Sequence, residues 1–324
     1  MGLATLGLAR PLLAQPAAAN RSEPMPGTRL VLLGTRGGPG VGPDRGESAS
    51  AVVVDGVPYL VDCGYGTMRA LTVAGIGYQN VSTIFLTHLH NDHTADLAAF
   101  LSHQWTGNKA TPTNVYGPYA TESTVAGALA FMRADVEIRT IDEGRTVSPE
   151  DQFFGHDADV GNEPKRVFAD ERVIVTAATN THFPERAVAQ MRHRSLGYRF
   201  ETSTRSIVFS GDTAYSANIV SLARGADVFV CEVMDHALYE QNMARARADA
   251  EAGRENSVAR HVAETHSTPM DVGRMASEAE VGTVVLNHQL RGPAARGWTI
   301  SAFIDGVRSA FDGPVIVGED QAVI

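Results

Sequence analysis

Over ten residues, Ile84-Phe85-Leu86-Thr87-His88-Leu89-His90-Asn91-Asp92-His93, the chain presents an apolar run and then four groups able to ligate a metal. His88 and His90 stand two apart, and at a strand end residues i and i+2 point the same way. Asp92 and His93 follow in the turn and face a neighbouring point. Two ligand clusters from one loop suit two metal ions about 3.5–4 Å apart. Imidazole and carboxylate donors without thiolate favour zinc, with manganese or iron as the other fitting ions. A hydroxide bridging two such cations forms near pH 7 and is a nucleophile, while the cations stabilise charge that develops on the attacked ester. Asp92 is a candidate to ligate and also to orient that hydroxide or accept its proton. The chemistry indicated is metal-assisted hydrolysis.

Such ligands need rigid supports. Short runs rich in Val and Ile, bounded by Gly, Asp or Pro, read as strands. They are Arg29–Leu33, Ala51–Val54, Pro58–Val61, Thr83–Leu86, Asn114–Tyr116, Val173–Ala177, Gly197–Glu201, Ser206–Phe209, Asp227–Cys231, Thr283–Leu286 and Pro314–Val317. Helical patterns lie at Thr67–Ala74, Ala95–Trp105, Glu122–Arg133, Ala217–Ala223, Leu238–Ala252, Met270–Ala279 and Thr299–Phe311. Strands thus fall in two sets, each followed by helices, and two sheets packed face to face with helices outside would bury them. Further ligands are expected where a strand ends in a short loop. His182 follows one strand, His288 another, and Asp212 a third, where Gly211 permits a tight bend. Asp62, at a strand end just ahead of the motif, reads either as a turn former or as a group holding a ligand histidine by its other ring nitrogen. His266 precedes the helix Met270–Ala279, which Ser267 or Thr268 would cap.

The remaining histidines read as structural or solvated. His103 lies on a helix and His156 in an acidic segment. His193 stands between Arg192 and Arg194, and with Arg186 and Arg199 it forms a basic spot that reads as a solvated strand edge. The Ala-, Arg- and Glu-rich stretch Leu238–Glu264 reads as a solvated helix or helix pair expected to lie over the site, and His236 and His261 belong to these covering helices. The segment Arg139–Glu171 carries four basic and nine acidic residues and reads as a long loop or inserted arm.

The 324 residues are 44% apolar and 20% charged, an ordinary globular chain with material for a large core, and disorder or a disulfide scaffold is excluded. A formal charge of −10 without a basic stripe disfavours nucleic-acid binding, which rests on phosphate neutralisation. Cys63 and Cys231 form no CxxC, so a cysteine zinc ribbon is excluded, and buried free thiols are the expectation. Residues 1–19 read as a signal peptide with an Ala-rich exit, or as a disordered leader, and residues 27–324 as one domain. A signal peptide would make the protein periplasmic or secreted, and a bare leader would leave it cytoplasmic. No apolar run is long enough for a membrane span.

The HxHxDH pattern after a strand resembles the metallo-β-lactamase superfamily. The turn Leu33-Gly34-Thr35-Arg36-Gly37-Gly38, Leu60-Val61-Asp62-Cys63-Gly64, Phe209-Ser210-Gly211-Asp212-Thr213 and His266-Ser267-Thr268 resemble its ribonuclease Z-like and arylsulfatase-like branch. The first turn lacks the GK[ST] of a nucleotide loop. The resemblance implies an α/β, αββα four-layer sandwich. It implies one zinc on His88, His90 and His182, a second on Asp92, His93 and His288, and Asp212 bridging both. It also implies that His266 pairs with Glu232 and donates a proton to the leaving group, a role worth about 10²–10⁴ in rate. Aspartate in place of cysteine at 212 argues against a β-lactamase proper. The expected substrate is a small anionic or aryl ester, cleaved in the manner of an arylsulfatase or phosphodiesterase. The alternatives are a ribonuclease Z-type tRNA 3′-processing enzyme, a lactonase or β-lactamase-type acyl hydrolase, and a non-catalytic metal binder. The loop with Trp298 and the covering helix Leu238–Ala252 are expected to shape the pocket, and a homodimer is compatible with the resemblance.

Overall fold

The computed structural model describes residues 27–254, 257–292 and 299–324. The first sheet comprises β1 (Thr28–Gly34), β2 (Ala49–Val54), β3 (Val57–Val61), β4 (Thr83–Phe85), β5 (Thr113–Gly117) and β6 (Phe153–Asp157), side by side in that order. β1 to β3 pair antiparallel, and β3 to β6 pair parallel. The second sheet comprises β7 (Lys165–Ala169), β8 (Val173–Thr179), β9 (Leu196–Thr202), β10 (Ser206–Phe209), β11 (Val228–Met234), β12 (Thr283–Leu290) and β13 (Val315–Val317), again in sequence order across the sheet. Its first four strands pair antiparallel and its last four parallel.

Strand alternation builds the layers. On β1, Leu30 and Leu32 face the second sheet, where they join Val175, Tyr198, Phe200 and Val230 in a shared core. Val31 and Leu33 point the other way, into a core with α1 (Thr67–Val73), α3 (Leu97–Thr106) and α4 (Thr121–Asp142). The short helix α2 (Asn91–Thr94) precedes α3. On β11, Val228 and Val230 face inward, whereas Phe229, Cys231 and Val233 meet α6 (Ala217–Ala223), α9 (Pro269–Glu278) and α10 (Ile300–Arg308). The result is helix, sheet, sheet, helix, the expected αββα order. Fully burying one such Leu or Phe is worth about 1.5–3 kcal/mol, so the alternation fixes the layering. Three helices lie outside these layers: α5 (Glu185–Val188), α7 (His236–Glu251) and α8 (Val258–Thr265). No residue of α7 is buried, as expected of a solvated helix, but α8 departs from that expectation and buries Ala259, Ala263 and Thr265.

The segment Arg139–Glu171 is not an inserted arm. Its start is the last turn of α4, and the rest supplies β6 and β7, one edge strand of each sheet. An edge strand has one paired neighbour and stays half solvated, so its polar composition reads as loop. The acidic residues there have structural work: Asp157 accepts the backbone N–H of Ala120 (3.0 Å) and Glu122 (2.9 Å) and so caps α4. Gly155 lets β6 approach that helix, since a Cβ there would lie 2.6 Å from the Glu122 Cα. Cys63 and Cys231 are buried free thiols in opposite outer layers, as expected. Residues 1–19 and Trp298 lie outside the described residues.

Candidate metal centre

β4 ends under the centre, and Asp62 together with the Thr87 backbone fixes the chain that leaves it. Beyond Thr87, His88 and His90 point to one place, with His88 Nε2 3.0 Å from His90 Nδ1. The next turn, α2, carries Asp92 and His93 to a second place. The other sheet closes both. His182 follows β8, its backbone N–H donating to the Asn180 side chain (3.1 Å), and its Nε2 lies 3.2 Å from His90 Nδ1. Asp212 follows β10, after Gly211 at φ +60°, where a Cβ would meet the Leu196 carbonyl at 2.6 Å.

His288 corrects one expectation. The strand does not end before it but runs on to Leu290. Glu232 pairs with Asn287 and Val233 with Gln289, so His288 is the extra residue of a β-bulge, at φ +38°. A bulge re-aims a side chain without ending the strand. Here it turns His288 Nε2 to 3.2 Å from both Asp92 Oδ2 and Asp212 Oδ2.

Among the described residues four groups of donors have their ligand atoms within 4.8 Å of one another, and two of them take the expected ligands: His88, His90 and His182, and Asp92, His93, Asp212 and His288. The other two, His182 with His261 and His266, and Glu232 with His266 and His288, each share a histidine with these sets. Asp212 reaches both, with Oδ2 3.9 Å from His88 Nε2 and Oδ1 3.3 Å from His93 Nε2. Tetrahedral ligands about 2.0–2.1 Å from a zinc ion stand about 3.3 Å apart, and the donor spacings fit that figure. His93 Nε2 and Asp212 Oδ1 are buried polar atoms without a hydrogen-bond partner, which a metal would satisfy. Burial pushes His88 and His182 well below the ordinary imidazole range, so both are neutral donors. Burial also works against charge on His288, but Asp212, the hydrogen bond with Asp92 and the Glu232 carboxylate 3.7 Å away outweigh it and raise it to about 10. Burial opposes ionisation of Asp92 too, and the charges of His93 and His288 still hold it below the usual carboxylate range.

Supporting groups surround the donors. Asp62, 3% exposed and at φ +60°, lies 2.8 Å from His93 Nδ1 and accepts the Thr87 backbone N–H at 2.8 Å. Glu232 on β11 accepts the Thr213 backbone N–H and stands 2.7 Å from His266 Nδ1. Thr268, not Ser267, caps α9, in a reciprocal capping box with Asp271. Ser267 instead donates to the Thr213 carbonyl (2.6 Å), and these contacts fix His266 at the mouth.

Every candidate ligand thus converges, as do His266 and Glu232. His103 and His236 are exposed, and His156 stacks on Tyr116 at 4.6 Å, away from the centre. The basic spot disperses: Arg186 pairs with Glu264, Arg199 with Glu201, and His193 lies against Tyr119. His261 is the residue that the sequence reading underrated. From α8 its ring reaches within 5.0 Å of His182 and 5.9 Å of both His90 and His266. Phe183, next to His182, also stands at the site, 5.5 Å from the His90 ring. The available signal was the spacing of His261 and His266 across the end of one helix.

Residues 58–289 match the family model described as the beta-lactamase superfamily domain. A ribonuclease Z of Mycobacterium sp. (strain KMS) is 31% identical over 298 residues, spanning 90% of this chain and 93% of that protein. Among solved structures, the metallo-beta-lactamase fold protein YhfI from Bacillus subtilis is similar at TM-score 0.64 and 16% identity, covering 92% of this chain and 98% of that one. The short form of human tRNase Z gives TM-score 0.62 at 22% identity, covering 91% and 98%. The chain is therefore a metal-dependent hydrolase acting on ester bonds, and it belongs to the metallo-β-lactamase superfamily, in its ribonuclease Z-like branch.

Proposed function

We propose that the protein is a binuclear zinc phosphodiesterase for small anionic or aryl diesters. The observation that carries this reading is Asp212, whose carboxylate lies within reach of His88 on one donor set and of His93 and His288 on the other. Two zinc ions held there would supply a nucleophilic water near neutral pH and positive charge for the attacked ester. His88, His90 and His182 would hold one ion, Asp92, His93 and His288 the other, with Asp212 between them. The chain's own part is proton transfer and orientation. Glu232 hydrogen-bonds His266 Nδ1 and keeps its proton there, leaving the far ring nitrogen to serve the departing oxygen. Burial works against a charged His266, and Glu232 and Asp212 outweigh it, so its pKa is raised and the ring is suited to give a proton. Asp62 holds His93 by its other nitrogen and fixes the ring's aim.

The name of the mycobacterial relative supports phosphodiesters over sulfate esters, and it favours a second reading, tRNA 3′-end cleavage. Against that reading stand the net charge of −10 and the acidic character of Arg139–Glu171, which repel a phosphate backbone. The test is turnover by zinc-loaded protein of bis(4-nitrophenyl) phosphate and 4-nitrophenyl sulfate, with Asp212→Ala as the blank. The diester is the expected substrate. Preference for the sulfate would replace this reading with an arylsulfatase. Precise cleavage of pre-tRNA at lower concentration than any small diester would replace it with the ribonuclease.

A further inference from the structure

The open side of the centre is lined by rings that neither donor set uses. His90 is only partly buried, and two rings stand edge-on beside it: Phe183 at 5.5 Å and 85°, and His261 at 5.9 Å and 81°. The same two rings flank His182, each at 5.0 Å. His261 lies outside the set formed by His88, His90 and His182 and groups instead with His182 and His266. It comes from the covering pair α7 and α8, and ion pairs tie that cover to the loop that carries Phe183. Glu264 on α8 takes Arg260 at 2.8 Å and Arg186 of α5 at 2.7 Å, and α5 begins two residues after Phe183. The cover and the loop therefore hold His261 and Phe183 as one rim. His266 sits beside that rim, 5.9 Å from His261 and 5.0 Å from His182, with its other side on Glu232.

This arrangement gives the leaving group a direction. An oxygen departing towards His266 carries its substituent outward, past His261 and Phe183. Two aromatic rings at that exit suit a planar aromatic substituent, through stacking and edge-to-face contact. We propose that His261 and Phe183 form the leaving-group subsite of this hydrolase and select an aromatic alcohol as the group released. The proposal rests on the phosphodiesterase reading above and adds the class of alcohol.

The test is competitive inhibition of bis(4-nitrophenyl) phosphate turnover by diphenyl phosphate and by dimethyl phosphate, for zinc-loaded wild type, His261→Ala, His261→Phe and Phe183→Leu, with zinc content measured by mass spectrometry. His261→Ala is expected to weaken diphenyl phosphate about 3–10-fold, the range of one aromatic contact, and dimethyl phosphate less than about 2-fold. His261→Phe should restore diphenyl phosphate binding, and Phe183→Leu should weaken it in the same selective way. Zinc content should equal the wild type in all three. Loss of zinc in His261→Ala would make His261 a metal ligand and overturn the subsite, as would equal weakening of the two diesters. If the wild type binds neither diester, the phosphodiesterase reading itself fails, and the subsite with it.

Discussion

Asp62→Asn tests the centre through a residue that belongs to neither donor set and acts on one of them through His93. The side chain is 3% exposed, accepts from the Thr87 backbone and hydroxyl, and faces His93 Nδ1 at 2.8 Å. Asparagine tolerates the φ of +60° that this position requires, so the backbone survives. It has one acceptor oxygen where aspartate has two. That oxygen can serve Thr87 or His93 but not both, and the amide N–H₂ then opposes the N–H of a zinc-ready His93. Losing one charge-assisted bond to a buried imidazole costs about 1.5–3 kcal/mol. The same range is about 10–100-fold in metal affinity. Competition with a chromophoric chelator at pH 7.5 reads this directly, and far-UV circular dichroism of the zinc-free variant checks the fold. Wild-type zinc affinity in a folded Asp62→Asn protein would refute the argument that Asp62 aims His93.

Four further outcomes follow. Glu232→Gln removes the carboxylate from His266, so kcat should fall about 100-fold for diesters with alkoxide leaving groups but less than about 10-fold for 4-nitrophenoxide, which needs no proton. Steady-state rates over a series of leaving groups would show the split. In Gly64→Ala the new Cβ would lie 2.3 Å from the Asp92 carbonyl and 2.8 Å from the Glu47 Cβ. Overpacking of this kind costs about 1–3 kcal/mol and should lower both Tm and zinc affinity. Lys109 is 7% exposed, and burial lowers it to about 8. Between pH 8 and 10 the unfolded chain binds the extra proton, so stability rises with pH across that window. Lys109→Met should flatten this rise, as read by urea denaturation between pH 7 and 10. Exhaustive chelation should lower Tm by several degrees and zinc should restore it, because binding to the native state alone is stabilising.

The sequence motif declared the centre because ligand chemistry is local. His88, His90, Asp92 and His93 stand within six residues, and the strand before them is apolar enough to read at once. The inner and outer faces were legible for the same reason, since β1 and β11 alternate between two cores. The edge strands β6 and β7 were not, because they keep the polarity of a loop, whereas the apolar edge strands β1 and β13 were read from sequence. The bulge at His288 was hidden too: the extra residue is defined by the register of β11 against β12, and no short pattern records register. His261 escaped because α8 looks like a solvated helix. Only the fold brings one turn of it over His182.

The donors also come from both halves of the molecule. His88, His90, Asp92 and His93 leave the first sheet, whereas His182, Asp212 and His288 leave the second. Neither half holds a complete set, so a chain emerging from the ribosome has no usable catalyst until the later sheet has docked on the earlier one. Metal affinity is thus a report on assembly: a molecule whose layers are misaligned binds metal weakly and stays inert, and the cell is spared an active hydrolytic centre on a half-made protein.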